Sequence, residues 1–466
     1  MKEARELPQD QPGPSVPRDH ERVNPLATGI LRRNGIKSWT KPAPSLYPHQ
    51  WSWDSAFIAL GLAHVDNHRA TSELETLFES QWKTGKVPHI VFDPDAPPKS
   101  YFPDAERWNA SGLSEHAPEG AHTSGLCQPP VHAIAVRRIW QTARGDKKRE
   151  ERARAFLRSN YSRLLSWHRY LSTARDPEGS GLVTIYHPWE SGTDNSPRWD
   201  AALENVTVGD LPPYTRYDLQ HVTDPSHRPT NEEYDRYLWL LELLKRERYD
   251  EAAIYDSHPF LVKDVLFSAI LVAANEALLE IARVIGAPDE DRSVVEGWVE
   301  RGREGLMRQY DQELGLCLDY DVLAGVPLRV RSVAGFAPLI AGGLDGDTLS
   351  ALLNTLDSPA FCGNERLHRP LPPSTSPDEP GFHPRSYWRG PVWPVANWLL
   401  WWSLIRAGEA ARAAEIRRQT LAQLAECGFA EYFEPFTGEP LGSREQSWTA
   451  AVALDMLATE TSVPRA

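Results

Sequence analysis

Apolar residues recur at three- and four-residue spacing through most of this chain, and that period commits it to packed helices. VHAIAVRRIWQTA (131–143), RARAFLRSNYSRLLSWHRYL (152–171) and PFLVKDVLFSAILVAANEALLEIARVIG (259–286) carry the pattern. RSVVEGWVERGREGLMRQY (292–310), PVWPVANWLLWWSLIRAG (391–408) and AARAAEIRRQTLAQLAECG (410–428) repeat it, with LSALLNTL (349–356) as a shorter case. The acidic run PDEDRSVV (288–295) suits a helix N-terminus, where backbone amides favour negative charge. Strand-like stretches are few and short: VPHIVF, GLVTIY and GLCLDY.

Helices alternate with Asp/Glu-rich turns and polar-aromatic loops, as in 174–192, 309–321 and 432–443. Helix pairs joined by short turns and long decorated loops predict a toroid of antiparallel pairs with the loops on one side. We therefore expect an all-α chain, one (α/α)-type barrel domain over 26–460, with loops forming a pocket at one end. Two stretches lack a helical period, about 187–232 and 358–390, and loops of that length in a compact domain serve as caps or insertions. Residues 1–25 are charged and proline-rich and read as a flexible arm, free to wrap a second copy in a homo-oligomer.

The charge balance narrows the partners. A formal net charge of −14 argues against nucleic acid and anionic membrane. The densest basic run, KKREERARAFLR, has the spacing of a solvated helix face. No apolar run is expected to reach the length of a membrane span, and the N-terminus lacks the hydrophobic stretch of a signal peptide. Cys127, Cys317, Cys362 and Cys427 lie far apart without a C-x-x-C, so neither a metal site nor a disulfide framework is expected; a reducing cytoplasm fits. The acid-rich turns at 176–181 and 311–315 lack calcium-loop spacing and read as solvated turns.

Seventeen tryptophans are many for this length, either as core filler or as stacking faces for sugar rings, whose apolar sides pack on indole. YPHQWSWD (47–54) sharpens the question. In an extended segment Trp51 and Trp53 would point the same way and wall a subsite; in a helix they would diverge. Three further clusters mix rings with charge at helix boundaries: HPWESGTDNSPRWD (187–200), RSYWRGPVW (385–393) and EYFEPFTGEPLGSREQSW (431–448). On a toroid such boundaries converge, giving an aromatic pocket with several acids. Glycosidic hydrolysis needs that inventory, one carboxyl to protonate the leaving group and another to activate water or attack. The chain has no phosphate-cradling glycine loop, no G-x-S-x-G and no H-E-x-x-H.

Q-W-x-W-D, E-S-G-x-D-N-S-P, Y-W-R-G-P-V-W and the terminal E-Y-F-x-P-x-T-G…SW, in this order over about 45–455, resemble glycoside hydrolase family 63. The compact length resembles the bacterial branch acting on mannosylglycerate and glucosylglycerate. The resemblance implies an (α/α)6 barrel and an inverting mechanism without a cofactor or metal. It places the general acid at Asp194 and the general base at Glu431, with the two carboxyls expected roughly 6.5–9.5 Å apart. Asp194 would need burial, near Trp189, to stay protonated at neutral pH.

Trp51 and Trp53 would then wall the sugar subsite, with Asp54 accepting sugar hydroxyls. Tyr387, Trp388 and Trp393 would form the opposite wall, with Arg389 bracing the loop. Gln128, Gln446 and the Gly192 backbone would bind hydroxyls. A small anionic glycoside also requires a cation; Arg228 is the expected clamp for a glycerate carboxylate, with Tyr47, His89, Tyr101 and Tyr234 at the same end.

Structural roles compete at several of these positions. Asp194 suits an Asx-type turn before Asn-Ser-Pro. Glu434, Glu439 and Glu445 rival Glu431, and Glu190 suits ordering of its loop. Trp398, Trp401 and Trp402 read as packing, and His132, His168 and His258 as interior or surface histidines. Two other functions remain open on the same fold, a trehalase-like or oligosaccharide-processing α-glucosidase and a sugar-binding barrel without catalysis. Gluco or manno preference and oligomeric state are not written in any motif.

Overall fold

A computed structural model describes residues 16–221 and 224–459. It is mostly helical. The chain starts with α1 (Val16–Asn34), then α2 (Ser52–Val65) and α3 (Asn67–Glu79). There follow α4 (His132–Ala143), α5 (Lys147–Thr173), α6 (Asn231–Arg246), α7 (Val265–Ile285) and α8 (Asp289–Arg308). The last part holds α9 (Ala337–Ala341), α10 (Gly346–Leu356), α11 (Pro394–Arg406), α12 (Ala410–Cys427) and α13 (Ser447–Ala458).

Local chemistry sets many of the helix starts. Asp66, Asp146 and Asp264 cap α3, α5 and α7 by accepting from first-turn amides, and Thr230 with Glu233 forms a capping box on α6. The acidic first turn of α8 is Asp289, Glu290 and Asp291, as its sequence predicts.

α2, α4, α7, α9, α11 and α13 pack each on the next, and α13 packs back on α2. Outside them, α3 lies on α2, α5 on α4 and α7, α8 on α7 and α9, α12 on α11, and α1 on α13 and α12. Two of the inner helices, α2 and α13, are covered on every side along most of their length. Ser52–Ala63 of α2 and Ser447–Leu457 of α13 are buried without a break, which removes the apolar stripe that marks a surface helix.

Two expectations change. Residues 16–25 are not a free arm: they open α1, whose Val23 and Ala27 are fully buried against the core; residues 1–15 lie outside the described part. A run of membrane-span length does exist. α7 has 21 residues and a mean hydropathy of 1.8, but 89% of its apolar window is buried, against α4, α5, α8 and α9. The 176–181 turn is solvated at Pro177, Glu178 and Gly179 as expected, while Asp176 at its base is buried and accepts from Ser180, Gly181 and the Lys263 ammonium.

The strands are two or three residues long and sit in the loops. β1 (Gln50–Trp51) pairs antiparallel with β2 (Ile90–Val91). β3 (Thr184–Ile185), β4 (Val262–Lys263), β5 (Asp319–Asp321) and β6 (Val326–Leu328) form one sheet in the order β6-β5-β4-β3. β7 (Tyr432–Phe433) pairs with β8 (Pro440–Leu441). The ribbons lie in or beside three of the polar-aromatic clusters, and a bridge from Val392 to Phe433 ties the fourth, 385–393, to β7.

The closest contact inside the ring is between α2 and α13. A Cβ on Gly61 would fall on the Ala451 backbone, 2.6 Å from its carbonyl oxygen. Glycine to alanine inside a helix normally stabilises by about 1 kcal/mol; here overpacking reverses the sign. Gly61→Ala should destabilise by roughly 1–3 kcal/mol, read as a lower midpoint in urea unfolding.

Candidate active site

A cavity of about 120 Å³ opens where the four clusters meet. YPHQWSWD contributes Tyr47, Trp51, Trp53 and Asp54; HPWESGTDNSPRWD contributes Trp189, Gly192 and Asp194. RSYWRGPVW contributes Tyr387, and the C-terminal cluster Glu431, Gln446 and Trp448. His89, Tyr101, Gln128, Arg228 and Tyr234, also expected, line it as well.

The opening motif is half strand and half helix. Trp51 is extended, in β1 and at the N-cap of α2, and sits edge-on to Tyr47 and Tyr101. Trp53 is in the first turn of α2 and packs edge-on against Phe57 and Trp448. The two rings therefore diverge, yet both reach the cavity. Gly192, at φ 71°, lets the acid loop lie against Trp53; a Cβ there would meet the indole at 2.6 Å.

Two buried ion pairs bracket the segment from Glu190 to Arg198. Arg175 donates to both oxygens of Glu190 at 2.8 and 2.6 Å, and the amides of Tyr186 and Cys127 donate to the same carboxylate. Burial pushes the Glu190 carboxyl up, but Arg175 outweighs it and holds the group at about 2. Arg198 grips Asp319 at 2.7 Å and donates to Thr193 Oγ1 at 2.8 Å. Asp194 is thus presented from a loop fixed at both ends, and Glu190 orders that loop from outside the cavity wall.

Burial pushes Asp194 up to about 7; its own backbone amide and Arg228 pull down, and Glu431 adds to the rise. Asp54, in the first turn of α2, is raised well above the usual carboxylate range, by burial first and then by Glu431 and Asp194. The fully buried Glu431 accepts from Tyr47 at 2.9 Å, Tyr387 at 3.0 Å and the Ser443 amide at 3.2 Å. These three acids therefore line one small space, with Asp218 as a fourth.

The cation among them is Arg228, just after the 3-10 turn Pro225–His227. Its Nε and Nη2 are shielded from solvent and have no hydrogen-bond partner among the described residues. Its guanidinium lies 4.9 Å over the Tyr387 ring. Gln446 is fully buried with both amide atoms unpartnered among the described residues, and His89 Nδ1 is in the same state. Burial holds the His89 ring neutral, at about 3, which leaves it free to exchange hydrogen bonds with a neutral ligand. Gln128 turns its oxygen back to the Trp53 amide at 3.3 Å.

Two expected wall residues are elsewhere. Trp388 and Trp393 stack on each other at 3.7 Å and do not line the cavity. Trp393 backs Tyr387 edge-on and stacks on Tyr432, so the wall is Tyr387 alone, propped from behind. Arg389 braces the loops through Asp200 and Glu233. Glu434 turns to the Phe436 and Thr437 amides, Glu439 to Arg385 and Glu445 to Arg33, away from the cavity. His132, His168 and His258 are interior, bonded to Ser52, Asn275 and the Phe260 carbonyl. Sequence reading missed Trp448, two residues past Gln446, as well as Phe102, Tyr217 and Asp218 of the cavity wall.

A mostly helical fold with an aromatic-walled cavity, a neutral-poised buried acid and a second buried carboxylate lining the same cavity define a glycoside hydrolase. The chain belongs to the mannosylglycerate hydrolase MGH1-like glycoside hydrolase family, whose model matches residues 47–449. It is 49% identical over 433 residues to a glucosylglycerate hydrolase of Mycolicibacterium hassiacum, covering 92% of this chain and 96% of that one. It is 44% identical over 429 residues to a mannosylglycerate hydrolase of Thermus thermophilus, covering 92% and 99%. The crystal structure of a GH63 mannosylglycerate hydrolase from Thermus thermophilus with Tris and D-glycerate matches with a TM-score of 0.85 at 42% identity, over 93% of this chain and 99% of that one.

The Asp194 shift has a stability consequence. An unfolded aspartate ionises near 3.8 and the folded one near 7, so between those values the native state binds more protons. Stability from this group falls as pH rises through that window and stays low above it. Asp194→Asn removes the penalty: it should be roughly 2–4 kcal/mol more stable than the wild type at pH 8 and no more stable at pH 4, by denaturant titration at both values.

Proposed function

We propose that this protein is an inverting hydrolase of the α-glycosidic bond in glucosylglycerate, mannosylglycerate or both, releasing sugar and glycerate, on an (α/α)6 barrel. The observation that carries the substrate class is Arg228, a shielded guanidinium without a carboxylate partner among the described residues, facing a cavity that holds two candidate catalytic acids. Leaving such a donor unpaired is costly, and a glycerate carboxylate would satisfy it with two charge-assisted bonds.

In this reading the sugar sits between Trp53, Trp51 and Tyr387, with its hydroxyls on Asp54, Gln446 and His89. Asp194 gives its proton to the glycosidic oxygen as the bond to the anomeric carbon breaks. Glu431 takes a proton from the water that attacks the opposite face, so the configuration inverts. Loops 187–232 and 358–390 act as the cap, tied to each other where the Tyr387 amide donates to the His227 carbonyl. The four cysteines are free thiols, which supports a reducing, cytoplasmic setting.

A trehalase-like or oligosaccharide-processing α-glucosidase would leave Arg228 without its anion. The deciding assay is glucose and mannose release from glucosylglycerate, mannosylglycerate and trehalose. We expect turnover of a glycerate glycoside, abolished in Asp194→Ala and Glu431→Ala, and a KM at least roughly 30-fold higher in Arg228→Ala. Turnover of trehalose alone, or an Arg228→Ala enzyme as good as wild type on the glycerate glycosides, would reject this substrate class. Binding without release would favour the non-catalytic barrel. Because the acid must be protonated, kcat should fall on the alkaline side through about pH 7.

A further inference from the structure

Glu431 is placed by a register. Tyr432 pairs with Leu441 in the β7–β8 ribbon, so the next antiparallel position sets Glu431 opposite Gly442. Gly442 has φ 68°, and a Cβ there would fall on Glu431 Oε2 and 2.9 Å from its Cβ. The bare glycine lets Oε2 lie against the ribbon, where the Ser443 amide donates to it at 3.2 Å. Oε1 is held from the other side. Tyr47 and Tyr387, from clusters 340 residues apart, direct their hydroxyls at that single oxygen at 2.9 and 3.0 Å.

We propose that Tyr47 and Tyr387 are positioning residues for the catalytic base, their two hydroxyls converging on Oε1 of Glu431 to hold that carboxylate aimed while water is deprotonated. The proposal rests on the reading of Glu431 as the base. A sugar wall would need the two rings but not two phenol donors on one oxygen. Donors do what this cavity otherwise lacks. The groups facing Glu431 are the carboxyls of Asp54 and Asp194, the Arg228 guanidinium, the Tyr47, Tyr387 and Tyr432 phenols and the Ser443 amide.

Two acids thus oppose a negative charge at 431, and the one cation serves the substrate's anion. Hydrogen bonds to the charged form offset that opposition. The phenols remain donors and do not give up their protons: burial, first, and then Glu431 push both well above the ordinary tyrosine range. The proton taken from water ends on Glu431, and that given by Asp194 ends on the glycerate hydroxyl.

The test is the pH dependence of kcat and KM on glucosylglycerate and mannosylglycerate for Tyr47→Phe, Tyr387→Phe and the double variant, beside Glu431→Ala. Phenylalanine keeps each ring and its packing, and either single variant decides. We expect kcat about tenfold lower in each single variant, with the acid limb of the pH–kcat profile moved up by roughly 0.5–1 unit. The double variant should move it further, and KM should change less than about threefold. An acid limb left in place, with the loss confined to KM, would make the phenols sugar ligands only and overturn the proposal. A Glu431→Ala enzyme that still turns over would instead overturn Glu431 as the base, and the positioning role with it.

Discussion

The buried pairing of Arg175 with Glu190 is the interaction on which the site depends. Glu190 opens the loop that presents Asp194, and its carboxylate receives the guanidinium and two backbone amides with no exposure to water. Arg198 with Asp319 closes the same loop eight residues later in the chain. Breaking one partner of such a pair strands a charge in the interior, at a cost of about 3–5 kcal/mol. The loop that carries the acid is therefore tied at both ends by buried ion pairs.

That rigidity lets burial act as chemistry. Asp194 is poised near neutrality because water is excluded around it, not because a neighbouring cation tunes it; Arg228 pulls the other way. Asp54 feels the same exclusion and the charge of its two neighbours. Four carboxyls, Asp54, Asp194, Asp218 and Glu431, line a space that holds one guanidinium among the described residues. The arrangement is balanced by phenols, amides and, in the proposed complex, by the substrate's own carboxylate. A site built this way is costly to keep empty, which is the usual trade between stability and activity.

Helices with one wet face were legible. The segments 131–143, 292–310 and 410–428 were read close to α4, α8 and α12. α2 and α13 were not, since helices covered all round carry no period to read: SWDSAFIALGLAHV alternates nothing that a stripe would explain. The cavity clusters were legible from composition at helix boundaries. Trp388 and Trp393 were misplaced because a motif records which residues are adjacent in sequence but not which ring faces in. Only the stack at 3.7 Å shows that these two support the wall from behind.

By itself, the sequence determined the helical class, the four segments that meet, and the candidate acids and cation among them, because residue type and spacing carry that information locally. The tertiary structure decided what each residue does there. It split Trp51 and Trp53 between a strand and a helix, made residues 16–25 the start of a helix with Val23 in the core, and separated Glu431 from its three acidic rivals. It also brought Tyr47 and Tyr387 onto one carboxylate oxygen. Those outcomes depend on distances between residues hundreds of positions apart and on how much water is left between them. Neither quantity exists until the ring of helices closes.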